Sequence, residues 1–346
     1  MNFKKILEKN YIQTSVPCRI DLGGTLDIST FYLPLHHLSP ASFNIALDLR
    51  TKVSLLPWEK GYIKVSSRGF ESAVFKNDEA PFNHPMGLIF AIAKYFDGHG
   101  VHIKIESSSP PRSALGGSSA AAVALISAFY KAIDKKVNSE QIAWLAHYIE
   151  SSVAGVPCGM QDQLAAAFGG INQWNWKMGD RHPEFEQVPI FENEADIEAF
   201  NSNILIAYCG IPHVSKDINQ QWVKSFIRGE TRSVFKKIVN LTKEFSNAVK
   251  HRNFRQAAKL MNQETKLRLE MTPDVLDKAG KKMFEKAISC DCGARFTGAG
   301  GGGCVWAVGE TIDIEKLKLF WHEILGSVET AKILDTRIEN KGIIIF

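Results

Sequence analysis

The sequence predicts an α+β protein, and three observations carry that. β-branched, strand-like segments dominate the first third, helical periodicities fill the middle, and short apolar strands return at the end. Strands, then helices, then strands argue for segregated layers rather than a βαβ array.

Taken in order, residues 12–22, 43–56, 62–67 and 101–107 read as strands, and 86–96 as a short apolar helix. Residues 118–133 form an alanine-rich helix. In 139–153, Ile142, Leu145, Ala146, Ile149 and Val153 share one helical face. Gly155 to Gly159 breaks that pattern, 160–168 restarts it, Gly169-Gly170 stops it, and 171–176 returns to strand. Residues 177–196 are charged and turn-rich, which places a domain boundary there and divides the chain into 1–185 and 186–346. Beyond it, 204–209 reads as a strand, and 216–227, 231–251, 254–271 and 272–289 as helices. Residues 294–297 and 304–308 flank a glycine run as a hairpin-like pair, and 332–334 and 342–346 close the chain as strands. His36-His37 suits a surface loop, and Trp174-Asn175-Trp176 a core strand.

At 346 residues, two domains are expected. A net charge of +4 without a run of five basic residues argues against a nucleic-acid partner. No apolar run has the length of a membrane span, and the N-terminus lacks the apolar core of a signal peptide, so a cytoplasmic protein is expected. The six cysteines are sparse and unmatched in spacing, as reduced thiols would be, and give no zinc site.

Four segments carry chemistry. Pro110-Pro111-Arg112-Ser113-Ala114-Leu115-Gly116-Gly117-Ser118-Ser119 runs directly into the alanine-rich helix. Glycines let backbone approach a ligand, and the helix start offers free N–H groups and the positive dipole end, together an anion site. The same turn read alone also serves as a tight helix entry. It is not a Walker A loop, for it has no Gly-Lys-Ser/Thr. Gly298-Ala299-Gly300-Gly301-Gly302-Gly303 is the second segment, its glycines costly in entropy unless packed against a ligand or another main chain. The third, Arg19-Ile20-Asp21-Leu22-Gly23-Gly24-Thr25-Leu26-Asp27, is a strand ending in a Gly-Gly turn, and on residue type alone Arg19 fits a surface strand as well as a site. In the fourth, Glu150 lies at the edge of a helical apolar stripe and Asp162 in the first turn of the next helix, where the dipole favours a carboxylate. Without further context both fit ordinary helix-surface charges.

Together these segments resemble the superfamily of galactokinase, homoserine kinase, mevalonate kinase and phosphomevalonate kinase, over almost the whole chain from Arg19 to Val308. The Arg19–Asp27 and Gly159–Asn172 stretches look most like its sugar kinases: heptose-phosphate kinases, fucokinase and galactokinase. The resemblance implies a ribosomal-protein-S5-like N-terminal domain and a ferredoxin-like C-terminal domain, with ATP and sugar between them and Mg²⁺ as the nucleotide's ion. It implies that Pro111, Arg112, Ser113, Ala114, Leu115, Gly116, Gly117, Ser118 and Ser119 cradle the nucleotide, and that Ser118 and Glu150 hold the metal. Asp162 is then the catalytic carboxylate, with Arg19 beside the reacting hydroxyl. Asp27, with Asp21, Gly24, Gly300 and Gly301, is placed on the substrate side.

The chain departs from the pattern in three places. The step from Arg19 to Asp27 is one residue short, which opens a shared role for Asp21. Ala114 replaces a glycine, and Arg112 enters the loop, where it either contacts phosphate or points to solvent. The expected reaction is phosphorylation of a small sugar or sugar phosphate, at the anomeric hydroxyl. Asp162 either takes the proton or only orients the hydroxyl. The alternatives are a non-sugar alcohol such as mevalonate or homoserine, or a sugar sensor with little catalysis. Neither the sugar nor the oligomeric state is legible.

Overall fold

A computed structural model describes residues 1–155, 157–179, 184–212 and 216–346. The chain begins with α1 (Lys4–Leu7), β1 (Ile12–Leu22), α2 (Ser29–Tyr32), β2 (Ala41–Pro57), β3 (Tyr62–Ser67), β4 (Ala73–Lys76), α3 (Gly87–Tyr95) and β5 (Val101–Ser107). Next come α4 (Gly117–Ala132), α5 (Ser139–Ala154), α6 (Gln161–Phe168), β6 (Ile171–Lys177), β7 (Glu184–Pro189), α7 (Glu194–Phe200) and β8 (Ile204–Tyr208). The remainder is α8 (Lys216–Ile227), α9 (Arg232–Lys250), α10 (Phe254–Met271), α11 (Lys278–Ser289), β9 (Gly293–Phe296), β10 (Cys304–Val308), α12 (Thr311–Leu325), β11 (Lys332–Ile333) and β12 (Ile344–Ile345).

Two sheets organise these elements. The larger has the order β12-β1-β2-β5-β3-β4, with β6 pairing β2 and β7; the smaller is antiparallel, β11-β8-β10-β9. β1 pairs with β2 antiparallel along its length, its register slipping between Val16 and Cys18, where Pro17 cannot donate to the ladder. β1 from Thr14 to Leu22 is buried on both faces, so Cys18, Ile20 and Leu22 enter the core while Arg19 and Asp21 face the other way, also out of solvent. That second face carries the candidate site residues Arg19 and Asp21. The Ala-rich α4, buried at nearly every position after Ser118, fits its backbone close against β1 because its side chains are small.

The two halves interlock. β12 pairs with β1, and β7 spans the expected boundary at 185/186. Leu26, Ile28, Phe31 and Leu35, just after β1, pack in the core of the C-terminal half, where Phe31 stacks on Phe235 at 4.3 Å.

Three differences from the sequence reading have physical causes. Residues 272–289 are not one helix: Thr272 precedes Pro273 and is extended (φ −151°, ψ 94°), and α11 starts afresh with Asp277 capping Gly280 N. α12, with Ile314, Leu317, Trp321 and Leu325 buried on one face, stands where no element was read. Strand β7 lies in what was read as boundary. Among the described residues the cysteines form no disulfide, and no helix is long and apolar enough to cross a membrane.

Candidate active site

The loop before α4 is shaped by what lies beneath it. Arg112, Ala114 and Gly116 all have positive φ (53°, 61° and 73°), alternating with residues that do not. Two of them are not glycine, a conformation that persists only when the surroundings enforce it. Three successive carbonyls are drawn inward to do so. Ser113 O accepts from Cys304 N (3.0 Å), Ala114 O from Arg19 Nη1 (2.7 Å), and Leu115 O from Arg19 N (3.1 Å). Among the described residues no protein group accepts from the amides of 113–119, and no side chain caps α4. Alternating left-handed residues with free amides make a concave anion nest at a helix N-terminus, a fit to phosphate oxygens.

The glycine run lies against this loop. A Cβ on Gly303 would fall 2.7 Å from Ser113 O, and one on Gly300 2.5 Å from Val275 O, while Gly301 N donates to Val275 O (3.0 Å). The main chain these glycines approach is therefore the protein's own. Gly300 and Gly301, expected on the substrate side, lie against Val275, and Gly303 lies against the loop before α4.

Arg19 reaches from β1 into this assembly. Its Nε donates to Asp162 Oδ1 (2.7 Å) and its Nη2 to Asp162 Oδ2 (2.9 Å), a fork-to-fork pair. Burial pushes the guanidinium down, but Asp162 and Asp21 outweigh it and hold Arg19 charged, above its ordinary value. Asp162 lies in the first turn of α6, about one quarter exposed, and a Cβ on Gly116 would stand 3.2 Å from its Oδ2. The carboxylate thus adjoins the nucleotide loop directly.

Glu150 Oε2 accepts from Ser119 Oγ (2.8 Å) and Gln163 Nε2 (2.7 Å), with Ser118 also in reach. Ser118 itself is exposed. Burial, then the charge of Asp162, raises Glu150 to about 7 despite these donors. A hydroxyl and a carboxylate at a phosphate nest suit Mg²⁺, which takes oxygen ligands and keeps waters. Among the described residues no three His, Cys, Asp or Glu side chains converge to hold a metal unaided.

Asp27 is buried, accepts from Gln161 N (3.0 Å), and sits so close to Gly159 that any side chain there would collide with its carboxylate. Burial raises it to about 6, with Asp162 adding to the effect. Asp21 is a different matter. It has no exposure, and its oxygens take Gly298 N (2.6 Å) and Arg295 Nη1 (3.1 Å). It ties the glycine run to β1, its oxygens engaged by the protein's own groups. Gly24 is likewise committed: a side chain there would strike Asp21, and its carbonyl accepts from Arg268. Pro111 and Arg112 are exposed at the loop's rim.

Several residues at the site carried no motif. Cys158 lies near enough to feel Glu150, Asp162 and Asp27, and burial with those charges pushes its thiol up to about 12. Tyr32 is raised by burial and by Asp27. His147 meets Gly159 O at 3.1 Å.

Family models for this architecture match twice: GHMP kinases N terminal domain over residues 83–170 and GHMP kinases C terminal over 245–325. The chain belongs to the GHMP kinase family. A mevalonate kinase of Thermococcus onnurineus is 28% identical over 294 residues, covering 76% of this chain and 81% of that protein. The D-glycero-alpha-D-manno-heptose 7-phosphate kinase of Campylobacter jejuni is 30% identical over 170 residues, 46% of this chain and 49% of that one. A galactokinase of Lactococcus lactis, solved with galactose, superposes with a TM-score of 0.76 at 17% identity, covering 99% of this chain and 97% of its own, which speaks to the fold alone. This GHMP kinase is thus similar in sequence to mevalonate kinases over more of its length than to the heptose kinase.

Proposed function

We propose that this chain transfers the γ-phosphoryl group of ATP to a hydroxyl of a sugar or sugar phosphate in the cytoplasm, the anomeric hydroxyl being the acceptor. The observation that carries this is the Arg19–Asp162 pair lodged against Gly116 of the phosphate nest. Phosphoryl transfer needs positioning and charge neutralisation more than covalent chemistry. The amides of 113–119 hold the β- and γ-phosphates, and Ser118 with Glu150 would hold Mg²⁺. That ion supplies charge neutralisation at the phosphate oxygens. Asp162 accepts the acceptor's proton, and Arg19 holds it aimed through two hydrogen bonds.

Asp27 favours a polyol. Buried beside Asp162, it offers acceptor oxygens to hydroxyl donors, and any charged group of the acceptor, carboxylate or phosphate, must lie away from it. Arg19, the cation at hand, is already taken by Asp162 and Ala114 O. The second reading, a mevalonate kinase, rests on the 28% identity to proteins of that name. A coupled ADP-release screen over galactose, fucose, mannose, heptose, their phosphates, mevalonate and homoserine decides. ADP above background with a sugar or sugar phosphate, and a new phosphate at C1 by NMR, supports the first reading. Turnover of mevalonate alone supports the second.

A further inference from the structure

An unbroken chain of charges runs from Asp162 away from the site into the C-terminal half. Asp162 pairs with Arg19, whose Nη1 lies 3.6 Å from Asp21 Oδ1. Arg295 Nη1 stands 3.1 Å from Asp21 Oδ2, and its Nε donates to Glu264 Oε2 at 2.9 Å. The other oxygen of Glu264 accepts from Arg268 Nε at 2.8 Å. Three guanidiniums alternate with three carboxylates, so the chain is neutral. Asp21, Arg295, Glu264 and Arg268 are wholly buried.

Its far end returns to β1's turn. Arg268 Nη2 donates to Gly24 O (2.8 Å) and Nη1 to Thr25 Oγ1 (3.2 Å), while its guanidinium lies over the rings of Trp222 and Phe235. Thr25, β-branched, has φ 76°, a conformation that must be held from outside. Two residues on is Asp27. Buried ion pairs give little stability over apolar residues of the same volume, so a chain this long has another use.

We propose that Arg268, Glu264 and Arg295 are positioning residues for the acceptor: they act through Gly24 and Thr25 to set Asp27, and through Asp21 to keep it in register with Arg19 and Asp162. This rests on Asp27 being the acceptor-binding carboxylate of the proposed function. The arginine and glutamate of α10 thereby fix, from the C-terminal half, the turn that follows β1.

The test is the double variant Glu264→Gln/Arg268→Met, which removes one charge of each sign and leaves Arg295 paired with Asp21. The acceptor KM should rise about tenfold or more, with the ATP KM within about twofold. Arg268→Lys, keeping the charge and one donor, should recover part of the loss. A merely structural role would lower Tm and the active fraction and leave both KM values alone; an unmoved acceptor KM overturns the proposal. Should the double variant not fold, Arg268→Lys carries the test by the same criterion. The acceptor is whichever compound the parent turns over, or, if it only binds one, that compound's Kd replaces KM. A parent that neither turns over nor binds any sugar, sugar phosphate, mevalonate or homoserine overturns the proposed function and this inference together. A shifted ATP KM with an unshifted acceptor KM overturns this inference alone.

Discussion

Arg19 grips Asp162 through two parallel hydrogen bonds while its third nitrogen holds Ala114 O, so one side chain fixes both the carboxylate and the strained loop beside it. In the proposed reaction this would couple proton acceptance to phosphate position, since carboxylate and loop cannot drift apart without breaking a charge-assisted pair.

Asp162→Asn keeps the shape and loses the charge. Turnover should fall about 100-fold or more, the scale of a general base, with ATP binding nearly unchanged. Single-turnover kinetics with isothermal titration of ATP separates the two, and an undiminished kcat removes Asp162 from its role.

Glu150→Gln should raise the Mg²⁺ concentration needed for half-maximal rate. In the parent, Glu150 titrates about 7, so protons compete with the cation and the Mg²⁺ requirement should fall as pH rises through 7. The variant should lose that pH dependence. A Mg²⁺ titration identical to the parent's at pH 8 would place the cation elsewhere.

Asp27 carries a pH signature in both activity and stability. Raised to about 6, it accepts hydroxyl donors fully only above that value, so kcat/KM for the acceptor should decline below pH 6. For stability the sign is opposite. Its folded value exceeds its unfolded one, so it costs nothing below about 4 and destabilises as pH rises through 6, by ~3 kcal/mol at most. Asp27→Asn should therefore melt higher than the parent at pH 8, the gap closing near pH 4, while binding the acceptor worse. A Tm difference independent of pH would contradict this.

Gly303→Ala separates packing from conformation. With φ 86° and Ser113 O at 2.7 Å from the new Cβ, it should lower Tm and raise the ATP KM by about tenfold. Gly155→Ala, at φ 65° with nothing within 4 Å, should cost about 1 kcal/mol and leave ATP binding alone. Equal effects of the two would mean the glycine run does not support the loop.

The sequence exposed what is local. α10 was legible to the residue because Phe254, Ala257, Ala258 and Met261 set a helical period and Asn253 caps it, although Glu264, Thr265 and Arg268 continue its buried face. Ser118, Glu150, Asp162 and Arg19 sit in short, chemically distinctive segments. α12 was there to be read, in the spacing of Ile314, Leu317, Trp321 and Leu325, but its exposed Ile312 and Leu319 blur the stripe. The partners of Asp21 were not legible, because alternation along β1 places it with Arg19, on a face that Arg295 and Gly298 of the C-terminal half cover. Arg268 meets Gly24 from 244 residues away, and nothing in either segment announces the other.

The most direct measurement is a crystal structure with a nonhydrolysable ATP analogue, Mg²⁺ and the acceptor found by screening. The account predicts the triphosphate against the amides of 113–119, the cation between Ser118 and Glu150, and the γ-phosphate facing the acceptor hydroxyl at Asp162. A triphosphate bound away from that loop, with Asp162 remote from the acceptor, would contradict it.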